Sequence, residues 1–127
     1  MADILIVEPD NQLAAIYSRA LSHQGHQLRL VHSAQKAINS CDKDKPDLVI
    51  LELQLGEHNG VEFLYELRSY PEWSKIPVIV LSSVPKVDFD TSQVLWDDLV
   101  VAKYYYKPHT NLKQLISGVS ETLAVPA

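Results

Sequence analysis

The sequence predicts a single α/β domain with a five-stranded parallel sheet and helices on both of its faces. Short apolar runs alternate with segments whose apolar residues recur at helical spacing, and this alternation repeats five times. The runs at 4–7, 48–51 and 78–81 are uninterrupted, as expected for strands buried on both faces. Residues 27–31 instead alternate polar and apolar, which favours an edge strand. A doubly wound sheet with such a second strand has the natural order 2-1-3-4-5.

The helices of the first half are bounded by residues with clear preferences for helix ends. We expect Asp10 to cap the first helix, which ends at Gly25, and Ser33 to cap the second. Cys41, in the second helix, is the only cysteine and is interpreted as a small apolar core residue. A single cysteine also excludes a disulfide framework and a cysteine-based zinc site.

The second half of the sequence predicts three helices that alternate with two strands. Gly60 begins the first of these helices, and the fourth strand spans 76–81. A helix is then expected over 91–99 and the fifth strand over 102–106. Thr110 is expected to cap the last helix.

Length and composition limit the kind of protein. The 127 residues suffice for one domain, expected to span 1–123, with 124–127 as a tail or the start of a linker. Eleven Lys and Arg against 16 Asp and Glu give a net charge of −5, which argues against nucleic acid as a direct partner. No apolar run approaches the about 20 residues of a membrane span, and no signal-peptide pattern opens the sequence. We therefore expect a soluble, cytoplasmic domain.

Polar side chains follow four of the five predicted strands. They are Glu8, Glu52, Ser82 and Lys107. Because ligands of parallel sheets bind at the carboxyl ends of the strands, we expect these side chains to meet at one edge. Two carboxylates, a hydroxyl and an ammonium can together bind a cation or a phosphoryl group.

Five short motifs around these positions occur in a fixed order. They are ILIV followed by Glu8, LVIL followed by Glu52, Gly60 eight residues later, PVIVLSS at 77–83 and YxxKP at 104–108. Over essentially its whole length, the chain thereby resembles the receiver domain of two-component response regulators, the CheY-like family. The resemblance implies the flavodoxin-like fold that this family has.

The resemblance also implies a role for each matching residue. In the family, a pair of acids after the first strand holds Mg²⁺, and an aspartate after the third accepts a phosphoryl group from a histidine kinase. Glu52 stands at that phosphoacceptor position, while Ser82 and Lys107 match the residues that bind the phosphoryl oxygens. Tyr104 matches an aromatic residue that reports the signalling state, and plain packing of this ring is the alternative interpretation.

Three departures from the family pattern bear on this chemistry. Pro9 replaces the second acid, Glu52 replaces the aspartate, and Val100 and Val101 replace a Gly-Ala pair. The remaining candidate ligands for Mg²⁺ are Glu8, Glu52 and Gln54, and we expect this site to be weakened or lost because one acid is missing. Asp10 is a poor substitute, since its position suits a helix cap. No other cofactor is expected.

The extra methylene of Glu52 moves its carboxylate by about 1.5 Å towards Ser82 and Lys107. An error of this size in near-attack geometry can cost about 10²-fold in rate. The sequence therefore favours a pseudo-receiver that binds proteins without being phosphorylated and is not an enzyme. Glu52 either acts as a fixed charge that holds one signalling conformation, or reflects relaxed selection on a docking fold. The alternative function is a receiver phosphorylated on Glu52 with Mg²⁺.

The expected partners are proteins, namely a histidine kinase or a downstream effector. In the family, such domains associate through the helix predicted over 91–99, the fifth strand and the last helix. Tyr104 and Trp96 would contribute to this face, through which a homodimer could form, although a Trp96 tucked into the domain is the favoured interpretation. A flavin-binding domain of the same fold is disfavoured, because the loop after Glu8 has no glycine to cradle a phosphate.

Overall fold

A computed structural model describes residues 2–56, 58–89 and 96–124. Its main sheet is entirely parallel, with the strand order β2-β1-β3-β4-β5. The strands are β1 (Asp3–Val7), β2 (Gln27–Val31), β3 (Leu48–Leu51), β4 (Val78–Ser82) and β5 (Val101–Tyr106). The helices are α1 (Asn11–Ser22), α2 (Ala34–Lys43), α3 (Gly60–Ser69) and α4 (Leu112–Ala124). The predicted fold class and strand order are confirmed.

The central strands separate two apolar layers. In one layer, side chains of β1, β3 and β4 pack with α2 and α3; its members include Leu5, Val49, Val80, Ala37, Cys41, Phe63 and Leu64. In the other, the alternate side chains of these strands pack with α1 and α4; its members include Ile4, Leu48, Ile79, Leu21, Leu115 and Val119. Both faces are covered, which explains the uninterrupted apolar runs and confirms that Cys41 is buried. Among the helices that the structure describes, none has the length and hydropathy of a membrane span.

Two of the predicted helix caps are confirmed and one is wrong. The Asp10 carboxylate accepts hydrogen bonds from the first amides of α1, and Ser33 caps α2. The last helix, however, is capped by Asn111, whose Oδ1 accepts from the Gln114 amide at 2.8 Å while Gln114 Oε1 accepts from the Asn111 amide at 2.8 Å. Thr110 instead donates its hydroxyl to the Tyr106 carbonyl. This reciprocal pair starts the helix one residue later than expected.

The loop after β3 is compact and fixes the position of Glu52. Gln54–Leu55 and His58–Asn59 form a short antiparallel pair that returns the chain towards the sheet. Gly60 then packs so closely that a Cβ there would lie 2.6 Å from the Leu53 Cα atom. Glycine at position 60 thus lets α3 begin directly against the residues that carry the carboxylate.

Residues 91–95 of the helix predicted over 91–99 lie outside the described residues. The part from Trp96 to Val100 is a turn. The Val101 amide donates to the Trp96 carbonyl at 3.0 Å and the Val100 amide to the Asp97 carbonyl at 3.1 Å. This is the hydrogen-bond pattern of a Schellman motif, and Val100 has the left-handed φ of 56° that the motif requires. β5 follows immediately, one residue earlier than predicted.

Candidate functional site

The carboxyl ends of β1, β3, β4 and β5 bring four polar side chains into one largely buried cluster. Glu8 follows β1, Glu52 follows β3, Ser82 is the last residue of β4, and Lys107 follows β5. Glu8 is 3% exposed, Glu52 4% and Ser82 0%, although the surrounding core is apolar. Because a buried carboxylate is costly unless it is paired and hydrogen-bonded, the partners of these groups are the central question.

Both oxygens of the Glu52 carboxylate have close donors. Lys107 Nζ donates to Oε1 at 2.8 Å, and the Ser83 amide donates to the same oxygen at 3.0 Å. Ser82 Oγ donates to Oε2 at 2.5 Å, and the Gln54 amide donates to it at 3.1 Å. Ser83 Oγ also lies 3.1 Å from Oε1. The carboxylate is therefore enclosed by an ammonium, hydroxyls and backbone amides.

The ionic state of the cluster follows from these contacts. Burial alone would raise the pKa of Glu52, but the hydrogen bonds from Lys107, Ser82 and the two backbone amides outweigh burial and lower the pKa. Burial would lower the pKa of Lys107, but its bonds to Glu52 and Glu8 raise it. Lys107 Nζ lies 2.5 Å from Glu8 Oε1, so one ammonium joins both carboxylates.

A chain of hydrogen bonds leads from Glu52 to Tyr104. The Val84 amide donates to Ser82 Oγ at 3.0 Å, and the Tyr104 hydroxyl donates to the Val84 carbonyl at 2.5 Å. The Tyr104 ring is turned into the domain, where its centroid lies 5.2 Å from that of Trp96, and burial raises the pKa of Tyr104 to about 12. Trp96 is half-buried in this aromatic contact, so it is tucked in rather than projecting from the surface.

A comparison with known protein families identifies this arrangement. The family model of the response regulator receiver domain matches residues 4–117. The chain belongs to this family. Receiver domains of response regulators interact with histidine kinases and effector domains, so the receiver domain described above is a signalling module of two-component systems.

Individual relatives agree with this assignment. Over 83 residues, the receiver domain is 36% identical to the KDP operon transcriptional regulatory protein KdpE of Escherichia coli, covering 65% of this chain and 36% of that protein. A putative response regulator from Chloroflexus aurantiacus has the same fold, with a TM-score of 0.85, 22% identity and 98% of each chain covered. The phosphorylated cyanobacterial phytochrome response regulator RcpA is 28% identical, with a TM-score of 0.78 over 99% of this chain and 96% of that one. The chain spans half or less of the curated relatives that it matches.

The residues of this receiver domain do not fit the Mg²⁺ ion that the family implies. Pro9 offers no side-chain ligand, and the Asp10 carboxylate is engaged as the cap of α1. The Gln54 side-chain oxygen is 2.8 Å from Ser83 Oγ. Across residues 2–56, 58–89 and 96–124, no group of three or more His, Cys, Asp or Glu residues is placed to hold a metal.

Sequence reasoning missed two contributors to the site. No contact with Glu52 was predicted for Ser83, yet its amide and hydroxyl both contact this carboxylate. The Gln54 amide is the second missed donor. Every residue type except proline supplies a backbone amide donor, so the sequence carries no signal for the two amide contacts. Only the turns after β3 and β4 reveal them.

Proposed function

We propose that this receiver domain is a pseudo-receiver, in which Glu52 is a fixed negative charge and not a phosphoryl acceptor. The observation that carries the proposal is that Ser82 and Lys107 already bind the two Glu52 oxygens. In the family, the residues at these two positions bind the oxygens of the phosphoryl group. The longer carboxylate thus occupies the place of part of the phosphoryl group and makes its contacts without any chemistry.

The same contacts argue against Glu52 as a nucleophile. A reacting oxygen must approach phosphorus in line with the leaving group, at about 3–3.5 Å. Both Glu52 oxygens are directed at donors and the residue is only 4% exposed, so an incoming phosphoryl group would have to displace Ser82 or Lys107 first. The lowered pKa further weakens the carboxylate as a nucleophile. We accordingly propose a binding module that is not an enzyme.

The proposed consequence is a single signalling conformation without phosphorylation. Ser82 is held towards Glu52, Val84 is held to Ser82, and the inward Tyr104 ring is held to Val84. Each contact is a hydrogen bond between buried or partly buried groups. The charge on Glu52 therefore supports the inward position of Tyr104 through two intermediate residues.

The variant Glu52→Gln tests this proposal, because it keeps the side-chain length and removes the charge. Its amide nitrogen cannot accept a bond, so either Ser82 or Lys107 loses its acceptor at residue 52, although Lys107 keeps its ion pair with Glu8. We expect hydrogen exchange of the Val84 amide to accelerate about tenfold, the equivalent of one charge-assisted hydrogen bond. Glu66→Gln on the exposed side of α3 is the matched control and should change nothing. Unchanged exchange, self-association and partner binding in Glu52→Gln would contradict the fixed-charge role.

A second candidate function is a phosphorylatable receiver that uses Glu52 with Mg²⁺. It is favoured by the 28% identity to RcpA, a relative whose structure is that of a phosphorylated response regulator. Exposure to acetyl phosphate with MgCl₂, followed by intact-mass measurement, separates the two. We expect no added phosphate on the natural sequence, whereas the double variant Pro9→Asp/Glu52→Asp serves as the positive control. A phosphate mapped to Glu52 would overturn the pseudo-receiver proposal.

For partners, we propose a histidine kinase or a downstream effector protein in the cytoplasm, without direct contact to nucleic acid or membrane. The proposed surface consists of β5, α4 and the turn that carries Trp96. β5 and α4 are joined there by an exposed ion pair between Lys103 and Glu121. If this surface forms a homodimer, Lys103→Glu should lower the association measured by analytical ultracentrifugation. Lys75→Glu, an exposed residue outside this surface, is the control.

A further inference from the structure

The Lys107 ammonium lies between the two buried acids of the site. Its Nζ atom is 2.5 Å from Glu8 Oε1 and 2.8 Å from Glu52 Oε1. Glu8 comes from the end of β1 and Glu52 from the end of β3, so the ammonium joins two strand ends that are adjacent in the sheet. Both carboxylates are nearly inaccessible to solvent, and the lysine side chain is 16% exposed. One positive charge thus stands where the two acids converge.

We propose that Lys107 is the built-in cation of this pocket and that it excludes divalent cations from it. This proposal goes beyond the missing acid at position 9. It assigns the weakened metal site to the Lys107 ammonium, which takes the place of the metal, as well as to the missing ligand. The inference rests on the proposed function only in treating Glu52 as a permanently charged group. The charged centre of the domain would then be independent of Mg²⁺ concentration.

Geometry supports this exclusion. A divalent cation bound by both acids needs carboxylate oxygens at about 2.0–2.6 Å. The two oxygens that could serve, one from Glu8 and one from Glu52, both face Lys107 Nζ. A metal at that point would overlap the ammonium, so Lys107 must withdraw first and lose both ion pairs.

Electrostatics acts in the same direction. The ammonium offsets part of the negative potential that would attract a divalent ion. Glu8 Oε2 is also engaged, since it accepts from the Asp10 amide at 3.1 Å. Removing Lys107 would free two carboxylate oxygens, and one or two carboxylates with several waters are a common ligand set for Mg²⁺.

The test compares the natural sequence with Pro9→Asp, Lys107→Ala and Lys107→Ala/Glu8→Gln. Mn²⁺ is titrated into each protein, and free Mn²⁺ is followed by electron paramagnetic resonance. We expect Lys107→Ala to bind Mn²⁺ at least about tenfold more tightly than the natural sequence, and Glu8→Gln to abolish that gain. Pro9→Asp alone should gain little, because the ammonium remains in place.

The proposal is overturned if a folded Lys107→Ala binds Mn²⁺ no more tightly than the natural sequence. If Lys107→Ala is unfolded without metal, circular dichroism is recorded with Mn²⁺: recovery of the fold supports the proposal, and its absence contradicts it. These readouts are independent of the exchange of the Val84 amide in Glu52→Gln, so a failure here is distinguishable from a failure of the fixed-charge role.

Discussion

Two partly buried cations lie at opposite ends of the same sheet, and they are held in different ways. Lys107, at the carboxyl ends of the strands, is bound by two carboxylates. Arg68, near the amino ends, donates to backbone carbonyls at the starts of β4 and β5 and in the turn after α3. These acceptors are the carbonyls of Leu99 at 2.7 Å, Trp73 at 2.9 Å, Ile76 at 2.6 Å and Val100 at 3.4 Å.

The Lys107 cluster is a candidate functional site, whereas Arg68 and its four carbonyl acceptors form a structural contact, called the brace below. The partners of Lys107 are ionised side chains, so the cluster can be altered by charge, by protonation or by a competing cation. The acceptors of Arg68 are peptide groups, which exist whatever the sequence and do not titrate. Burial lowers the pKa of Arg68 to about 10, which still leaves it charged near neutral pH. Arginine suits this place because its planar fork of five N–H groups can serve several carbonyls at once.

The largest effect is expected at the brace. Arg68→Ala removes the donor of the Leu99 and Ile76 carbonyls, whereas the Trp73 and Val100 carbonyls keep backbone amide donors. It should lower the free energy of unfolding by about 3 kcal/mol. Arg68→Lys should recover only part of the loss, since a single ammonium cannot reach all four. Urea unfolding measures both variants, and Arg19→Ala on the exposed face of α1 is the control. A near-normal stability of Arg68→Ala would mean that water replaces the guanidinium at these carbonyls.

The second largest loss of stability is expected for a substitution of Lys107 in the candidate site. Lys107→Met leaves Glu8 and Glu52 facing each other and should cost about 2 kcal/mol, less than for a fully buried pair because the lysine is partly accessible to water. Adding Glu52→Gln to this variant removes one of the two charges and should restore part of the stability. The double-mutant cycle by urea unfolding isolates the coupling between the two residues. Simple additivity of the two substitutions would show that the ion pair contributes nothing.

The same contrast explains what the sequence could predict. Glu8, Glu52 and Lys107 were found because each follows a run of apolar residues that predicts a strand, and parallel strands place their ends together. Arg68 lies within an amphipathic helix, and no side-chain pattern distinguishes an arginine that binds carbonyls from one in solvent. The cap of α4 was misplaced for a similar reason: Thr110 and Asn111 both suit a cap, and only the reciprocal bond with Gln114 decides between them.

The third prediction is that stability depends on pH through Glu52 in the candidate site and not through the acceptors of Arg68, which do not titrate. The folded state lowers the pKa of Glu52 from its ordinary value of 4.5, so near that pH the unfolded chain binds more protons. The stability that Glu52 contributes is therefore present above pH 4.5 and is lost as the pH falls through the lower, folded pKa. Urea unfolding between about pH 3 and 7 should show a shallower acid decline for Glu52→Gln than for the natural sequence. Glu121→Gln, in an exposed ion pair, is the control; an equal decline in all three proteins would show that other carboxyl groups dominate.

The smallest effect is expected at Val100, whose carbonyl accepts a hydrogen bond from Arg68. The backbone of Val100 is strained. Its φ of 56° lies in the left-handed region, which is unfavourable for a β-branched residue and which glycine adopts readily. Val100→Gly should therefore raise the free energy of unfolding by about 1 kcal/mol, since relief of the strain exceeds the added flexibility of the unfolded chain. Val101→Gly, one residue later in β5, is the matched control and should destabilise the domain, because a strand residue gains nothing from left-handed freedom. If both variants are destabilised alike in urea unfolding, the Val100 side chain contributes more by packing than its backbone costs in strain.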